Sequence, residues 1–593
     1  MKDLFEAAIC KQKSKFHKNK RLYNLVGYIK LILFIFFAVS IYFVITRQES
    51  MVFAAAAVVL LIIQIAAWVY HAILNARVEQ SKGIIEINRR HLDRLTGKWT
   101  EFPDTGEEFI DAEHPYGCDL DIVGKDSLFQ LLNTTHTWHG RRAFAADLLH
   151  AAYSKQEIIQ RQEAVKELAE NKEFTDELEY RFSKIGSDPA AEVLLQELRD
   201  AQPFIKKRSL RILLTYGPLI AILLMGLSVI FHWKQLYLLS VILFAVQTLV
   251  WLTGMPATYK FIRIVNRLPF RLNAYKEVLE LVDTTKFAAE KLKEIQTNLT
   301  TSDLSAVQAI KALAKIADKV SVRGVPIVYF LLNVLLLWDY ECVFMLEDWK
   351  KKYAPYCEKW FLALGELESL SCFATMTKVC SHTCFPHISD TRGLEATELG
   401  HPLIPDSVRV TNQIRLNNNI VIISGSNMSG KTTYLRTAGI NIVLARAGGP
   451  VCAMEMTCSD LHIITSMRIA DDLNEGVSTF YAELKRIKGI LDNSRNDRNT
   501  LFLIDEIFRG TNSVDRLTGA RTVITKLNEL GAMGMVTTHD LELCELQQAI
   551  PRIQNYSFSE YYENGRIYFD YKIQHGKSKT TNARFLMELV GII

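Results

Sequence analysis

Residues Gly425-Ser426-Asn427-Met428-Ser429-Gly430-Lys431-Thr432 fit the spacing G-x-x-x-x-G-K-[ST], whose chemistry is phosphate capture. Glycines at those positions let backbone N–H groups wrap phosphate oxygens, and a helix begun near Lys431 aims its positive end at them. Lys431 is expected on the β- and γ-phosphates and the Thr432 hydroxyl on Mg2+. Gly425, Asn427, Gly430 and Thr433 complete the expected nucleotide contacts. An apolar run, Leu501–Ile504, ends in Asp505-Glu506. Asp505 is predicted to hold Mg2+, directly or through water, and Glu506 to polarise the attacking water. A third run, Met533–Thr538, ends in His539, at the strand edge where α/β proteins bind ligands, as a γ-phosphate sensor or orienter of water. The chemistry predicted by this set is ATP hydrolysis with Mg2+.

Those groups need strands to carry them. The isoleucine-rich run Asn419–Ser424 reads as a buried strand leading into the glycine loop, with a helix after it. Tyr556–Tyr562 and Arg566–Ile573 read as a hairpin closed at Asn564-Gly565 by a type I′ turn. This α/β unit takes only the C-terminal third of 593 residues, so further domains are expected. Formal net charge is +4, which leaves nucleic-acid contact to a local patch rather than bulk attraction. The ten cysteines lack a paired framework and suit a reducing compartment. Cys372, Cys380, His382, Cys384 and His387 have ligand chemistry but no paired C-x-x-C spacing. Leu367–Val379 reads as a packed helix, so these are taken as structural residues rather than a metal site.

Four apolar runs precede the α/β unit: Asn24–Thr46, Met51–Leu74, Leu213–Phe231 and Leu236–Gly254. Helices of roughly 19 to 23 residues reach about 28 to 35 Å, enough for a hydrocarbon core of about 30 Å. Only the first contains a charged residue, Lys30, near its end, where it can snorkel. Gln64 and Gln247 lie mid-run and are candidates for bonds between helices. The short links Arg47–Ser50 and His232–Gln235 make two tight hairpins. Lysines and arginines cluster before the first and third runs and after the fourth, which predicts both chain ends and the middle segment on the cytoplasmic side. A cleaved signal peptide is disfavoured because no small-x-small site follows the first run, and a buried bundle because the runs lack a polar stripe. A fifth run, Gly324–Trp338, is shorter, carries Pro326 and Asn333, and reads as a buried core helix.

The motif set resembles the MutS family. Gly425–Thr432 with Tyr434-Leu435-Arg436 resembles its phosphate loop, and Gly400-His401-Pro402 the start of its ATPase domain. Asp471-Asp472-Leu473 with Gly476–Phe480 and Glu483 resembles its signature segment. Asp505-Glu506-Ile507-Phe508-Arg509-Gly510-Thr511, Thr538-His539 and Gly576–Ile592 resemble its later motifs, in the family's order. Asp126–Phe129, Leu132–Thr135, Gly140-Arg141-Arg142 and Arg161–Val165 are similar to its helical core. The resemblance implies a homodimer with two composite ATP sites, Ser478 of one protomer approaching the γ-phosphate held by the other. It also implies an adenine stacked on a ring that Tyr571 supplies, although no aromatic residue occupies Val408–Asn412 to give the second. Nothing before Leu120 resembles the family's G-x-F-x-E mismatch reader, and both hairpins are foreign to soluble members.

The expected fold is multidomain: α-helical transmembrane hairpins, a helical MutS-like core and a C-terminal α/β P-loop NTPase unit of ABC-like type. Residues 1–23 would form a basic cytoplasmic N-terminus, 24–74 hairpin 1, 75–212 the first part of the core, 213–254 hairpin 2, 255–400 the second part of the core with its lever, and 401–593 the ATPase domain. The expected location is the cell membrane, multi-pass, with the ATPase cytoplasmic; the expected partners are a second copy, the lipid bilayer, and DNA or a DNA-bound protein. An ATPase that moves its spans without binding DNA, and a nucleotide-gated scaffold, are the competing expectations.

Overall fold

The computed structural model describes residues 2–46, 50–186, 204–205, 207–266, 269–300, 304–468, 479–508, 512–563 and 566–578. The chain begins with two long helices, α1 (Lys2–Thr46) and α2 (Ser50–Leu95). They run antiparallel, as the ring pairs Phe5–His91, Tyr23–His71 and Phe43–Phe53 mark from one end to the other. The basic stretch before the first apolar run is therefore helical and continuous with it. At 1.5 Å per residue each helix is about 68 Å long, roughly twice a hydrocarbon core. Their polar ends pack against the helical region that follows: Lys11 pairs with Glu173 (2.9 Å), Asn88 donates to Asp176 (2.9 Å), and Phe5 is buried there. Lys30 lies over the Trp68 ring, 4.0 Å from its centroid.

Helices α3 (Leu128–Leu132), α4 (Trp138–Leu149), α5 (Lys155–Glu170) and α6 (Lys172–Ser183) follow. Ser154 and Glu157 start α5 with a reciprocal capping box, which satisfies two otherwise orphaned N–H groups. The second apolar pair is α7 (Arg208–Phe231) and α8 (Lys234–Asn266), turned by His232 in a left-handed conformation. These four helices are long and apolar enough to cross a membrane; 6 % of the most apolar window is buried in each of α1 and α2, and 17 % in each of α7 and α8. The side-chain carbonyl oxygens of Gln64 and Gln247, the candidates for bonds between helices, are buried without a hydrogen-bond partner.

Next come α9 (Pro269–Thr284), α10 (Glu290–Leu299), α11 (Ala306–Ser321), α12 (Pro326–Leu336) and the 42-residue α13 (Trp338–Val379). The fifth apolar run departs from expectation. As α12 it is no core helix: Ile327, Val328, Phe330, Leu331 and Leu335 are all exposed, and only Asn333 is buried. Composition alone cannot separate a helix buried in protein from one whose apolar side faces outward. α13 is the spine of the helical region. At Gly365 a Cβ would sit 2.8 Å from the carbonyl oxygen of His139, so glycine sets how closely α13 and α4 approach.

Two sheets complete the chain. A small one has order β1-β5-β2-β3, from β1 (His387–Ile388), β2 (Leu394–Leu399), β3 (Asn412–Leu416) and β5 (Glu455–Cys458). The larger has order β10-β9-β4-β8-β7-β6. Its strands are β4 (Ile420–Ser424), β6 (His462–Ser466), β7 (Thr500–Asp505), β8 (Met533–Thr538), β9 (Ile553–Glu563) and β10 (Arg566–His575). Strands β9, β4, β8, β7 and β6 are mutually parallel and β10 pairs antiparallel with β9. The three strands foreseen around residues 419, 501 and 533 are β4, β7 and β8. Every residue of these three is buried, as continuous apolar runs in a covered parallel sheet should be. Helices α14 (Lys431–Arg446), α15 (Thr479–Asn496) and α16 (Ser513–Glu529) supply the cover. The hairpin turn foreseen at Asn564-Gly565 lies outside the described residues, though its strands pair as expected.

Candidate functional site

β4 ends at Ser424 and α14 begins at Lys431, so the glycine loop lies between a buried strand and a helix N-terminus. Gly425 has φ +150° and Gly430 φ +105°, a region that L side chains rarely adopt. A Cβ at Gly425 would meet the carbonyl oxygen of Phe558 at 2.8 Å. The Lys431 ammonium curls back over the loop and donates to the carbonyls of Gly425 (2.9 Å) and Ser426 (2.7 Å). Ser429 donates to the Ser426 carbonyl (2.8 Å), and Ser426 to the Glu560 carboxylate on β9 (2.9 Å).

The parallel register brings the ends of β4, β8 and β7 level: Ser424 pairs with Thr538, and Asp505 with Thr537. The Thr432 hydroxyl consequently reaches Asp505, 3.1 and 3.0 Å from its two oxygens. A hydroxyl and a carboxylate at that separation can share one small hard cation, and oxygen donors are what Mg2+ selects. Thr537 donates to Asp505 (2.6 Å) and accepts the backbone N–H of Glu506 (3.0 Å). Glu506 has φ +53°, an uncommon conformation for a residue with a side chain, and pairs with His539 Nε2 at 2.5 Å. His539 is followed by Asp540, whose carboxylate takes two bonds from Arg516 of α16 (2.8 and 3.0 Å). The next residue after the acidic pair but one, Phe508, donates its N–H to the buried carboxylate of Glu483 on α15 and packs edge-on against Phe480.

Asn427, Gly430, Lys431, Thr432, Thr433, Glu506 and Tyr571 line one cavity of about 430 Å³. Tyr571, at φ +54°, lies against Gly430, its Cδ1 within 3.2 Å of where a Cβ would be. Asn412 holds it there by donating to its carbonyl (2.9 Å). Ile404, Val408 and Val410 join the lining, so aliphatic side chains stand where no second aromatic ring was found in the sequence. Of the residues expected from the sequence, Gly425, Asn427, Gly430, Lys431, Thr432, Thr433, Asp505, Glu506, His539 and Tyr571 gather here, whereas Ser478 lies outside the described residues. Thr537 and Asn412 were missed. Thr537 was signalled by a hydroxyl residue near the end of an otherwise apolar strand, just before the Thr538-His539 pair.

The segment before the helical core grips the same unit. Asp121 receives Arg436 of α14 (2.9 Å) and Arg468 just after β6 (2.7 Å). Asp119 accepts from Thr465 (2.7 Å) and from the backbone N–H groups of Met467 (3.1 Å) and Arg468 (3.0 Å). The buried His401 is held neutral: burial, then the Arg436 and Arg409 guanidinium groups, bring its pKa down to about 3.

The family model for MutS domain III matches residues 117–374 and that for MutS domain V matches residues 421–590. The domain III match brackets the whole α7–α8 pair. Among similar curated proteins is the DNA mismatch repair protein MutS of Bacillus subtilis (strain 168), 32 % identical over 264 residues, covering 43 % of this chain and 30 % of that protein. Its counterpart in Geobacillus sp. (strain WCH70) is 29 % identical over 259 residues, covering 42 % and 30 %. That of Chlorobium phaeovibrioides (strain DSM 265 / 1930) is 32 % identical over 241 residues, covering 39 % and 27 %. The chain thus spans under a third of the length of these relatives. Two domain models in the family's order account for most of its residues, and the chain belongs to the MutS family.

Proposed function

We propose that the protein is a membrane-anchored MutS-type ATPase that works as a homodimeric switch or clamp on DNA or on a DNA-bound partner. The observation that carries the reading is the chain of contacts from Thr432 through Asp505 and Thr537 to Glu506 and His539, built on three adjacent strand ends beneath the glycine loop. Lys431 and the loop amides hold the β- and γ-phosphates of ATP. Thr432 and Asp505 hold Mg2+, which supplies charge neutralisation on the phosphates when bound. Glu506 accepts the proton of the attacking water, and His539 orients Glu506 and keeps it in place. Ser478 reaches the γ-phosphate of the opposite protomer, so each site needs two chains. Ile404, Val408 and Val410 face Tyr571 across the base. Four apolar helices with outward-facing side chains support a multi-pass membrane location, and the lysines and arginines beside them favour a cytoplasmic ATPase.

The test uses full-length protein in lipid nanodiscs. Mg2+-dependent ATP hydrolysis should fall at least about 100-fold in Glu506→Gln, the usual weight of a general base, while nucleotide is retained. An unchanged rate would remove Glu506 from its role. Mixing Lys431→Ala with Ser478→Ala protein should restore part of the turnover, since one site of the mixed dimer is whole. DNA binding should weaken steeply with salt. Absence of binding at low salt, with ATP or without, would reject the DNA reading in favour of an ATPase acting on its own spans.

A further inference from the structure

The helix α12 is as apolar as the four long ones but is too short to cross a membrane. Its 11 residues, Pro326–Leu336, contain no charge and extend about 16 Å, near half a hydrocarbon core. A bend of 113° separates it from the helix before. Its exposed residues are large and aliphatic or aromatic, with Ile327 76 % exposed, Phe330 52 % and Leu331 51 %. A surface of this kind left in water marks a site for something apolar.

Its neighbours say what that is. Tyr329 and Phe330 pack edge-on against Trp251 of α8, with ring centroids 5.7 and 5.9 Å away. Trp251 lies 17 residues beyond Lys234, about 26 Å from the tight end of the second hairpin. On the other limb, Arg211 lies 20 residues before Phe231, about 30 Å from that end, and it pairs with Asp348 at 2.6 Å. The hydrocarbon depth of this hairpin is therefore used up at the level of Trp251 and Arg211, and α12 is attached at that level. Tryptophan, tyrosine and arginine gather there, as they do at a membrane–water boundary: the Arg323 guanidinium stacks over Tyr259 and Tyr329, 5.7 Å from each ring centroid.

A buried carboxylate fixes the arrangement. Asp339, at the start of α13, accepts from Trp251 Nε1 (3.2 Å) and the Tyr329 hydroxyl (2.6 Å) and pairs with Arg323 (2.8 Å). Its own backbone N–H donates to Asn333, the one buried residue of α12 (3.0 Å). Polar atoms of α12 thus turn inward to the protein while its apolar side continues the outward-facing apolar surface of α7 and α8.

We infer that α12 is a fifth membrane element, lying in the interface of the same leaflet that the cytoplasmic ends of α7 and α8 leave, with Ile327, Phe330 and Leu331 among the lipid acyl chains. It ties the spine helix α13 to the bilayer surface through Asp339, so that motion of the spine is referred to the membrane plane. The inference rests on the membrane reading above, and the experiment separates the two. An environment-sensitive fluorescent amino acid replaces Ile327 in the full-length protein, or Leu223 midway along α7, in nanodiscs of phosphatidylcholine and phosphatidylglycerol with or without brominated acyl chains. Both sites are exposed, Leu223 at 61 %, so neither replacement disturbs packing. The expected result is blue-shifted emission at both sites and quenching by bromine at both. Quenching at 223 without quenching at 327 overturns the inference and leaves the membrane reading standing, whether the probe at 327 meets water or a second copy of the chain. Quenching at neither removes both.

Discussion

On the proposed function, Thr537 is a side chain that sets a rate without touching substrate. Its hydroxyl donates to Asp505 and accepts from the Glu506 amide, fixing the two carboxylates relative to each other. Thr537→Val keeps the shape and removes both bonds, one of them to a charged group. A loss of roughly 1.5 to 3 kcal/mol is expected for such a bond, or about 10- to 100-fold in kcat. KM for ATP should change little, because the phosphate loop is untouched; a KM effect with kcat preserved would contradict this positioning role. His401 gives a prediction in pH. Its folded pKa, about 3, lies below the ordinary histidine value of 6.5, so the unfolded chain binds a proton first as the solution is acidified. The contribution to stability is intact above pH about 6.5 and is lost progressively from there towards pH about 3. His401→Asn, which keeps an acceptor for the Leu403 N–H, should flatten that acid decline in thermal midpoints. Much at this scale was legible: Lys431, Thr432, Asp505, Glu506 and His539 follow from residue type and strand ends. What escaped was geometry across strands. Nothing local to Asn412 announces that it donates to the Tyr571 carbonyl, because β3 and β10 meet only in the folded chain.

At the scale of elements, the helical region and the α/β unit are joined by a charge that water never reaches. Arg161 of α5, 1 % exposed, donates to the Ala447 carbonyl at the end of α14 (2.8 Å) and pairs with Asp147 of α4 (2.5 Å). Asp147 also takes the hydroxyls of Tyr153 and Ser369 (2.5 Å each). Arg161→Met would fill much of the volume while leaving Asp147 and the Ala447 carbonyl without their partner. Breaking a buried pair from one side costs about 3 to 5 kcal/mol, and chemical denaturation of the nanodisc-held protein should register a loss of that order. A loss below about 1 kcal/mol would mean that water replaces the guanidinium. Sequence pattern identified the helix bearing Arg161 but not its task, since a lone arginine on an amphipathic helix ordinarily faces solvent. The same limit explains α12, where a run of apolar residues fixes a helix without fixing which side of the protein surface it occupies.

At the scale of the whole molecule, one acidic pair connects the start of the helical core to both halves of the nucleotide unit. Asp121 bridges Arg436, on the helix that begins at Lys431, and Arg468, the last described residue before the segment that carries Ser478. Asp119 holds the backbone at the root of that same segment. Displacement of the core relative to the sheet would therefore be felt at once by the helix that begins at Lys431 and by the root of the segment that, on the proposed function, meets the other protomer. Asp121→Asn retains the size of the side chain and removes its charge. Two partly exposed pairs are weakened, and exposed pairs contribute about 0 to 1 kcal/mol each, so the fold should survive with a thermal midpoint only slightly lower. The coupling should not survive as well. ATP turnover is expected to drop several-fold while ATP affinity of the Glu506→Gln background holds steady, because Lys431 and Thr432 remain in place. The decisive measurement is the mixed dimer: adding the Asp121→Asn change to the chain that donates Ser478 should depress turnover more than adding it to the chain whose Ser478 is already replaced. A larger effect in the chain that supplies Lys431 would make Asp121 a brace for its own site and nothing more.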